Sequence, residues 1–238
     1  MDDLSPFAPQ RAPTSNRPLL GMTVLAVEDS RYACEAMRLM CLRSGARIRR
    51  ADCLHSARRH LQVYRPSVAI IDLGLPDGSG LELISELDRA TPRITALIGI
   101  SGDDNSEDAA RQAGADGFLH KPLKSLGTFQ QAILENLPED RQPNGPRVLS
   151  DESVTPNLVA YRDDMTHVAS LLDDHTDGPV LDYIAQFLGG VARSAEDYQL
   201  AKAAGDLAKH RANGDDLRAK VAQLSGMVQE RMNKRIAI

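Results

Sequence analysis

Residues 67–80 read SVAIIDLGLPDGSG, and the fold is decided there. Val68-Ala-Ile-Ile71 is continuously apolar, as a strand covered on both faces must be. It ends on an acid, Asp72, and runs into Gly-Leu-Pro-Asp-Gly, turn chemistry that stops a strand. A strand buried on both faces needs helices above and below it, and the flanking sequence supplies them. Apolar runs at Met22–Val27, Ala46–Ala51, Ser67–Ile71, Ile94–Ile100 and Gly117–Leu119 alternate with longer stretches at Ser30–Ser44, Leu54–Tyr64, Gly80–Ala90, Asp103–Ala113 and Leu123–Asn136. The long stretches carry helical period: Ala33, Met37, Met40 and Cys41 fall on one stripe, as do Leu126, Phe129, Ile133 and Leu137. Five strands alternating with five helices predict an α/β domain, a doubly wound parallel sheet with right-handed crossovers, over residues 21–137.

Outside that domain the texture changes. Residues 1–20 carry Pro6, Pro9, Pro13 and Pro18 with little periodicity, which predicts a flexible tail. Residues 138–155 hold prolines, Asn144-Gly145 and a Ser/Asp/Glu cluster, the composition of a linker. Residues 156–238 read as helix throughout. Thr155-Pro156 offers a helix start. Leu158, Tyr161, Met165, Val168 and Leu172 form one apolar stripe, and Val180, Leu181, Ile184, Phe187, Leu188 and Val191 form another. Leu217, Val221, Leu224 and Val228 form a third, a seam suited either to closing an intramolecular bundle or to pairing with a second copy. The expectation is an all-α domain.

Composition excludes several classes. The 238 residues are 42% hydrophobic and 26% charged, which is globular material, and the net charge of −5 disfavours nucleic acid as a partner. Residues 155–238 count ten Lys/Arg against twelve Asp/Glu, so a basic recognition helix is not expected there and DNA is disfavoured as an output. No apolar run is long enough to span a bilayer and the first residues lack a secretory profile, so a cytoplasmic protein is expected. Cys34, Cys41 and Cys53 are odd in number and lack metal-site spacing; the first two read as buried thiols on one helix.

The chemistry sits at one end of the sheet. Glu28-Asp29 follows the first strand, Asp72 ends the third, Ser101 follows the fourth and Lys121 the fifth. Carboxyl ends of parallel strands lie side by side, so these distant residues converge on one crevice. Three carboxylates brought together must raise their pKa values or share a cation, and an all-oxygen set suits Mg²⁺. Lys121 adds a fixed charge for a phosphoryl oxygen, and Asp72 can act as a nucleophile on phosphorus. Taken singly, Glu28-Asp29 could be a helix cap, Asp72 a turn residue, Lys121 a solvated lysine and Phe118 plain core.

The segments VLAVEDS (24–30), IIDLGLPDGSG (70–80), IGISGDD (98–104) and GFLHKP (117–122) resemble, in order and spacing, the receiver domain of two-component response regulators. The resemblance implies the flavodoxin-like five-stranded sheet with strand order 2-1-3-4-5. It implies Asp72 as phosphoacceptor, and Mg²⁺ held by Asp29, by Glu28 through water, by Asp72 and by the carbonyl of Gly74. It further implies Ser101 and Lys121 on the phosphoryl group, a cis Lys121–Pro122 peptide, and Phe118 with Ser101 as switch residues. Gly74, two residues past the acceptor, offers no side chain to tune the phosphoryl lifetime. The implied partner is a sensor histidine kinase or phosphotransfer protein, and the implied role is phosphoacceptor rather than turnover enzyme. Phosphorylation would then remodel the surface of the fourth and fifth helices and the last strand, changing docking of the helical domain or its dimerisation.

The helical domain weakly resembles a degenerate histidine phosphotransfer domain, with His210-Arg-Ala-Asn-Gly214 echoing the phosphosite although Ala212 and Asn213 replace the expected Leu and Lys. The alternatives are therefore a phosphorelay intermediate using His210 or a transcriptional regulator with an unrecognised DNA-binding output. A haloacid-dehalogenase-type enzyme would want Asp-x-Asp where this chain has Asp72-Leu-Gly, and a pseudo-receiver scaffold would not keep the whole acid–Ser–Lys set. Arg47, Arg49, Arg50, Arg58 and Arg59, and Asp163, Asp164, Asp173, Asp174 and Asp177, are expected to be solvated faces or caps.

Overall fold

The structure is a computed structural model, and it describes residues 12–103, 105–145, 149–174 and 178–233. The first half is built from β1 (Thr23–Val27), α1 (Arg31–Ser44), β2 (Arg47–Ala51), α2 (Leu54–Val63), β3 (Val68–Asp72), the two-residue strands β4 (Gly74–Leu75) and β5 (Gly78–Ser79), α3 (Gly80–Asp88), β6 (Ala96–Ser101), α4 (Ser106–Gln112), β7 (Gly117–His120) and α5 (Leu126–Leu134). The main sheet is parallel throughout, in the order β2-β1-β3-β6-β7. That is the expected 2-1-3-4-5 order. The small antiparallel ribbon, Gly74 opposite Ser79 and Leu75 opposite Gly78, was not foreseen.

Two cores flank the sheet because alternate residues of each buried strand point to opposite faces. Val24, Ala26, Val68, Ile70, Ile98 and Ile100 pack on α1 and α5 through Met37, Met40, Phe129 and Ile133. Leu25, Val27, Ala69, Ile71 and Leu97 pack on the other side against Leu54, Leu83 and Ile84. Each large side chain so buried contributes about 1.5–3 kcal/mol. Cys34 and Cys41 are buried, and burial pushes the Cys41 thiol up to about 12, which keeps it protonated and inert. The helix α1 stops at Gly45, whose φ of 84° is the left-handed conformation glycine adopts most readily.

Two stretches expected to be loose are not. Leu19 is fully buried and its N–H bonds the carbonyl of Ser44, so residues 12–20 fold back onto the domain; Pro6 and Pro9 lie outside the described residues. Val154 is buried in the first core, and the N–H of Val154 bonds the carbonyl of Lys124, so this end of residues 138–155, expected to be a linker, lies against the sheet domain.

The second half comprises α6 (Leu158–Asp174), α7 (Gly178–Ser194), α8 (Tyr198–Ala212) and α9 (Arg218–Asn233). The first begins two residues later than Thr155-Pro156 suggested, because the Asn157 side chain accepts the N–H of Ala160 and acts as the cap. The helix α7 packs on α8, and α6 and α8 pack on α9. Leu224 and Val228 are fully buried against this bundle and Leu217 and Val221 pack on it, so of the two alternatives for the seam this chain takes the intramolecular one.

Candidate phosphoacceptor site

The carboxyl ends of β1, β3, β6 and β7 place the predicted residues together. Carboxylate oxygens of Glu28, Asp29 and Asp72 all lie within 4.8 Å of one another. Lys121 Nζ is 2.9 Å from Asp72 Oδ2 and 2.8 Å from Glu28 Oε2. Ser101 is buried beside them, its Oγ accepting the N–H of Asp103 at 3.1 Å. The Lys121–Pro122 peptide is cis. Phe118 is half-buried, edge-on to His120, on the outer side of β6.

The loop after Asp72 is held by its own short-range chemistry. Asp77 accepts the N–H groups of Leu54 at 2.8 Å and His55 at 2.9 Å, capping α2 across the loop. Gly80 sits so close to the carbonyl of Asp72 that no side chain would fit. These contacts fix where the Asp72 carboxylate points.

Charge in the site does not balance. Burial raises Glu28 well above the usual carboxylate range, with Asp72 and Asp29 adding to it and Lys121 opposing. Burial, then the charge of Asp72, lifts Asp29 to about 6 against the pull of Lys121 and Tyr183. For Lys121, burial works against the ammonium, but Asp72, Glu28 and Asp29 outweigh it and the charge is held. Glu28 Oε2 is fully buried and, although at ion-pair distance from Lys121, receives no aligned hydrogen bond. Three carboxylates, one ammonium and an orphaned buried oxygen fit a hard divalent cation.

The unexpected feature is the roof. The Tyr183 hydroxyl donates to Asp29 Oδ2 at 2.8 Å, and the Gln186 amide presses against Gly74. Asp164, buried, accepts from Ser30 Oγ at 2.8 Å, the Arg31 N–H at 2.7 Å and the Tyr32 N–H at 3.0 Å. It thus caps α1 from another domain, and burial raises its pKa despite those three donors. It is a cap, as one reading allowed, but not a solvated one; Asp173 is exposed and Asp177 lies outside the described residues. Tyr32 joins the helical core and stands edge-on to Tyr161, ring centroids 5.8 Å apart. The helical domain therefore sits on α1 and over the Glu28–Asp29–Asp72 cluster. Of the face of α4, β7 and α5, where the sequence placed the docking change, it reaches the β7–α5 connection, where Lys124 pairs with Glu196.

The remaining candidates fall elsewhere. His210 pairs with Asp215 at 2.8 Å in the last turn of α8 and does not line the acceptor cavity. Arg58 pairs with Glu86 at the surface, while Arg50 reaches the carbonyl of Asp29 at 3.2 Å. No signal in the sequence marked Tyr183 or Gln186, and none placed the cap of Asp164 on α1, since each acts only through a contact between the two halves.

Residues 24–133 match the response regulator receiver domain family. This part of the chain is a receiver domain, and its fold and acidic pocket agree with that membership. Among curated proteins the chain is 30% identical over 138 residues to the KDP operon transcriptional regulatory protein KdpE of Escherichia coli, covering 58% of this chain and 61% of that one. It is 30% identical over 117 residues to the virulence transcriptional regulatory protein PhoP of Salmonella typhimurium, covering 48% and 52%. The chain thus spans between half and two thirds of the length of these relatives. Both are named as transcriptional regulators, so they lend no support to the expectation that DNA is disfavoured. Among solved structures, the chemotaxis response regulator CheY4 of Vibrio cholerae aligns with 49% of this chain and 98% of its own at 22% identity and a TM-score of 0.44. Among the described residues no helix is long and apolar enough to cross a membrane.

Proposed function

We propose that the chain is a response regulator whose Asp72 accepts a phosphoryl group from a sensor histidine kinase or phosphotransfer protein. The observation that carries this is the Glu28–Asp29–Asp72 cluster with Lys121 Nζ 2.9 Å from Asp72 Oδ2. Glu28, Asp29, Asp72 and the carbonyl of Gly74 would hold Mg²⁺, which when bound neutralises charge on the transferring group. An Asp72 oxygen forms the new bond to phosphorus as the donor's bond to phosphorus breaks, and the departing group leaves with its electron pair. Lys121 and the Ser101 hydroxyl are placed to bind the phosphoryl oxygens, and Phe118 follows Ser101 as the switch. The chain acts as an acceptor, not as a turnover enzyme.

Output would pass through the helical bundle that covers the site. Output at DNA is the alternative: the relatives' names favour it and the even charge balance of residues 155–238 opposes it. The test is intact-mass labelling with acetyl phosphate and Mg²⁺. Wild type should gain one phosphoryl group and Asp72→Asn none; labelling retained in the variant would overturn the assignment.

A further inference from the structure

One stripe of α7 crosses the mouth of the acceptor cavity. Tyr183, Gln186, Gly190 and Arg193 recur at spacings of three, four and three, which puts them on one face of the helix. Tyr183 bonds Asp29, Gln186 lies on Gly74, and the guanidinium of Arg193 lies on Gly102, where a Cβ would meet its Nη2 at 3.1 Å. Between these contacts a Cβ at Gly190 would meet nothing within 4 Å. The helix spans the cavity without filling it, and the space beneath is about 390 Å³. A water occupies about 30 Å³ of liquid, so a phosphoryl group with its cation and several waters fits under the roof.

Lys121 and Arg193 are the cationic side chains lining that cavity among the described residues. Lys121 is committed to Glu28 and Asp72. Arg193 has no hydrogen bond or ion pair among the described residues, in contrast to its neighbours at the interface. Arg31 pairs with Asp163 at 3.0 Å, Lys124 pairs with Glu196, and Arg211 ties up the nearby Asp182 at 2.5 Å. Asp103, also on the lining, is engaged by the Asn105 N–H and the Ser106 hydroxyl.

Three carboxylates are neutralised by Lys121 and a divalent cation together. An acyl phosphate replaces the single charge of Asp72 with nearly two, since a phosphoryl group carries about −1.5 to −2 near neutral pH. The cavity is then left about one charge negative, and among the described residues the cation on its lining without an ion pair is Arg193. A guanidinium also matches phosphoryl oxygens in a two-pronged geometry that an ammonium cannot supply.

We infer that Arg193 is the phosphoryl-binding residue of the helical domain, pairing with the acyl phosphate on Asp72 so that phosphorylation is read directly by α7. This rests on the phosphoacceptor reading above. It adds to it a residue contributed from outside the receiver domain, and it makes phosphorylation strengthen the contact between α7 and the receiver.

The test uses the full chain, with Mg²⁺ and beryllofluoride as the phosphoryl mimic, in wild type, Arg193→Gln and Arg193→Lys. Arg193 is exposed, so both variants should keep wild-type helical content by circular dichroism. Arg193→Gln should bind beryllofluoride about tenfold more weakly, the size of one charge-assisted hydrogen bond. The lysine variant should recover part of the loss. Mg²⁺ affinity measured without the mimic should hold or rise, because a neighbouring cation has been removed. Unchanged beryllofluoride binding in Arg193→Gln would overturn the inference, as would parallel loss of Mg²⁺ and mimic, which marks a merely structural effect. A wild-type chain that takes up neither beryllofluoride nor a phosphoryl group would instead overturn the phosphoacceptor reading, and the Arg193 inference with it.

Discussion

Tyr183 donates its phenolic hydrogen to Oδ2 of Asp29 at 2.8 Å, joining residues 154 positions apart in the chain. Burial, then the charge of Asp29, pushes the phenol well above its ordinary pKa, so it remains a donor. One carboxylate of the candidate cation site is therefore already engaged by the helical domain. Any cation drawing on that oxygen competes with the docking of α7.

Replacing Tyr183 with Phe removes the donor and keeps the ring, which packs against Phe187 at 5.7 Å and His167 at 6.5 Å between centroids. A hydrogen bond is worth about 0.5–1.5 kcal/mol net. Tyr183→Phe should therefore bind Mg²⁺ about threefold to tenfold more tightly in a calorimetric titration. Equal or weaker binding would show that the phenol does not compete.

Asp164→Ala removes the carboxylate that supplements the Ser30 cap of α1. It leaves Ser30 Oγ and the N–H groups of Arg31 and Tyr32 without their shared acceptor at a buried junction. Unsatisfied buried donors cost about 1–3 kcal/mol each, and the loss falls on the contact between α1 and α6. The variant should be cut faster by protease in residues 138–157, with the receiver half surviving as a fragment. Wild-type cleavage kinetics would mean that the Tyr32–Tyr161 packing alone holds the domains together.

The sheet was legible because strands buried on both faces must be apolar and strand ends must carry the chemistry. Val68–Ile71 and Asp72 show both rules in five residues. Lys121, Ser101 and the two acids after β1 followed from topology once the strands were placed. What was not legible is the relationship between the halves. Asp164 reads as one more acid on a helix until Ser30 is known to face it, and Gln186 and Arg193 are ordinary polar residues beside an apolar stripe. The same holds for Leu19: a Leu–Leu pair between Pro18 and Gly21 carries no period, so its burial beside Ser44 could not be seen. The ambiguous seam of Leu224 and Val228 was settled by α6 and α8, whose packing on α9 no single stripe reveals.

Asp197 ties α8 into the bundle. It accepts the Leu200 N–H at 3.1 Å, the Tyr161 hydroxyl at 3.0 Å and Arg231 Nε at 2.9 Å. Burial raises its pKa, but Arg231, the Leu200 N–H and Tyr161 outweigh burial and lower it. A depressed carboxylate stabilises the fold above its unfolded value, near 3.9, and that contribution is lost as pH falls through the folded value. Asp197→Asn should lower the melting temperature of the full chain at pH 7. The gap to wild type should close below about pH 4; a gap that persists in acid would assign the effect to shape rather than charge.

Gly74 and Gln186 offer the sharpest test of the closed arrangement. A Cβ at Gly74 would run into the amide of Gln186, so a small side chain here requires that amide to swing aside and a long one requires α7 itself to move. Gly74→Gln should force α7 away from the acceptor site. Small-angle scattering should then show a larger radius of gyration, and hydrogen exchange should rise in α7 and at the first turn of α1 while β1, β3 and β6 stay protected. Trimming the obstacle in the double variant Gly74→Ala, Gln186→Ala should restore the compact form, since the added methyl meets the space the amide vacated. If Gly74→Gln leaves the dimensions and exchange pattern unchanged, α7 does not rest on the acceptor loop in solution. The roof over Asp72 would then have to be held by Asp164 and Tyr32 alone.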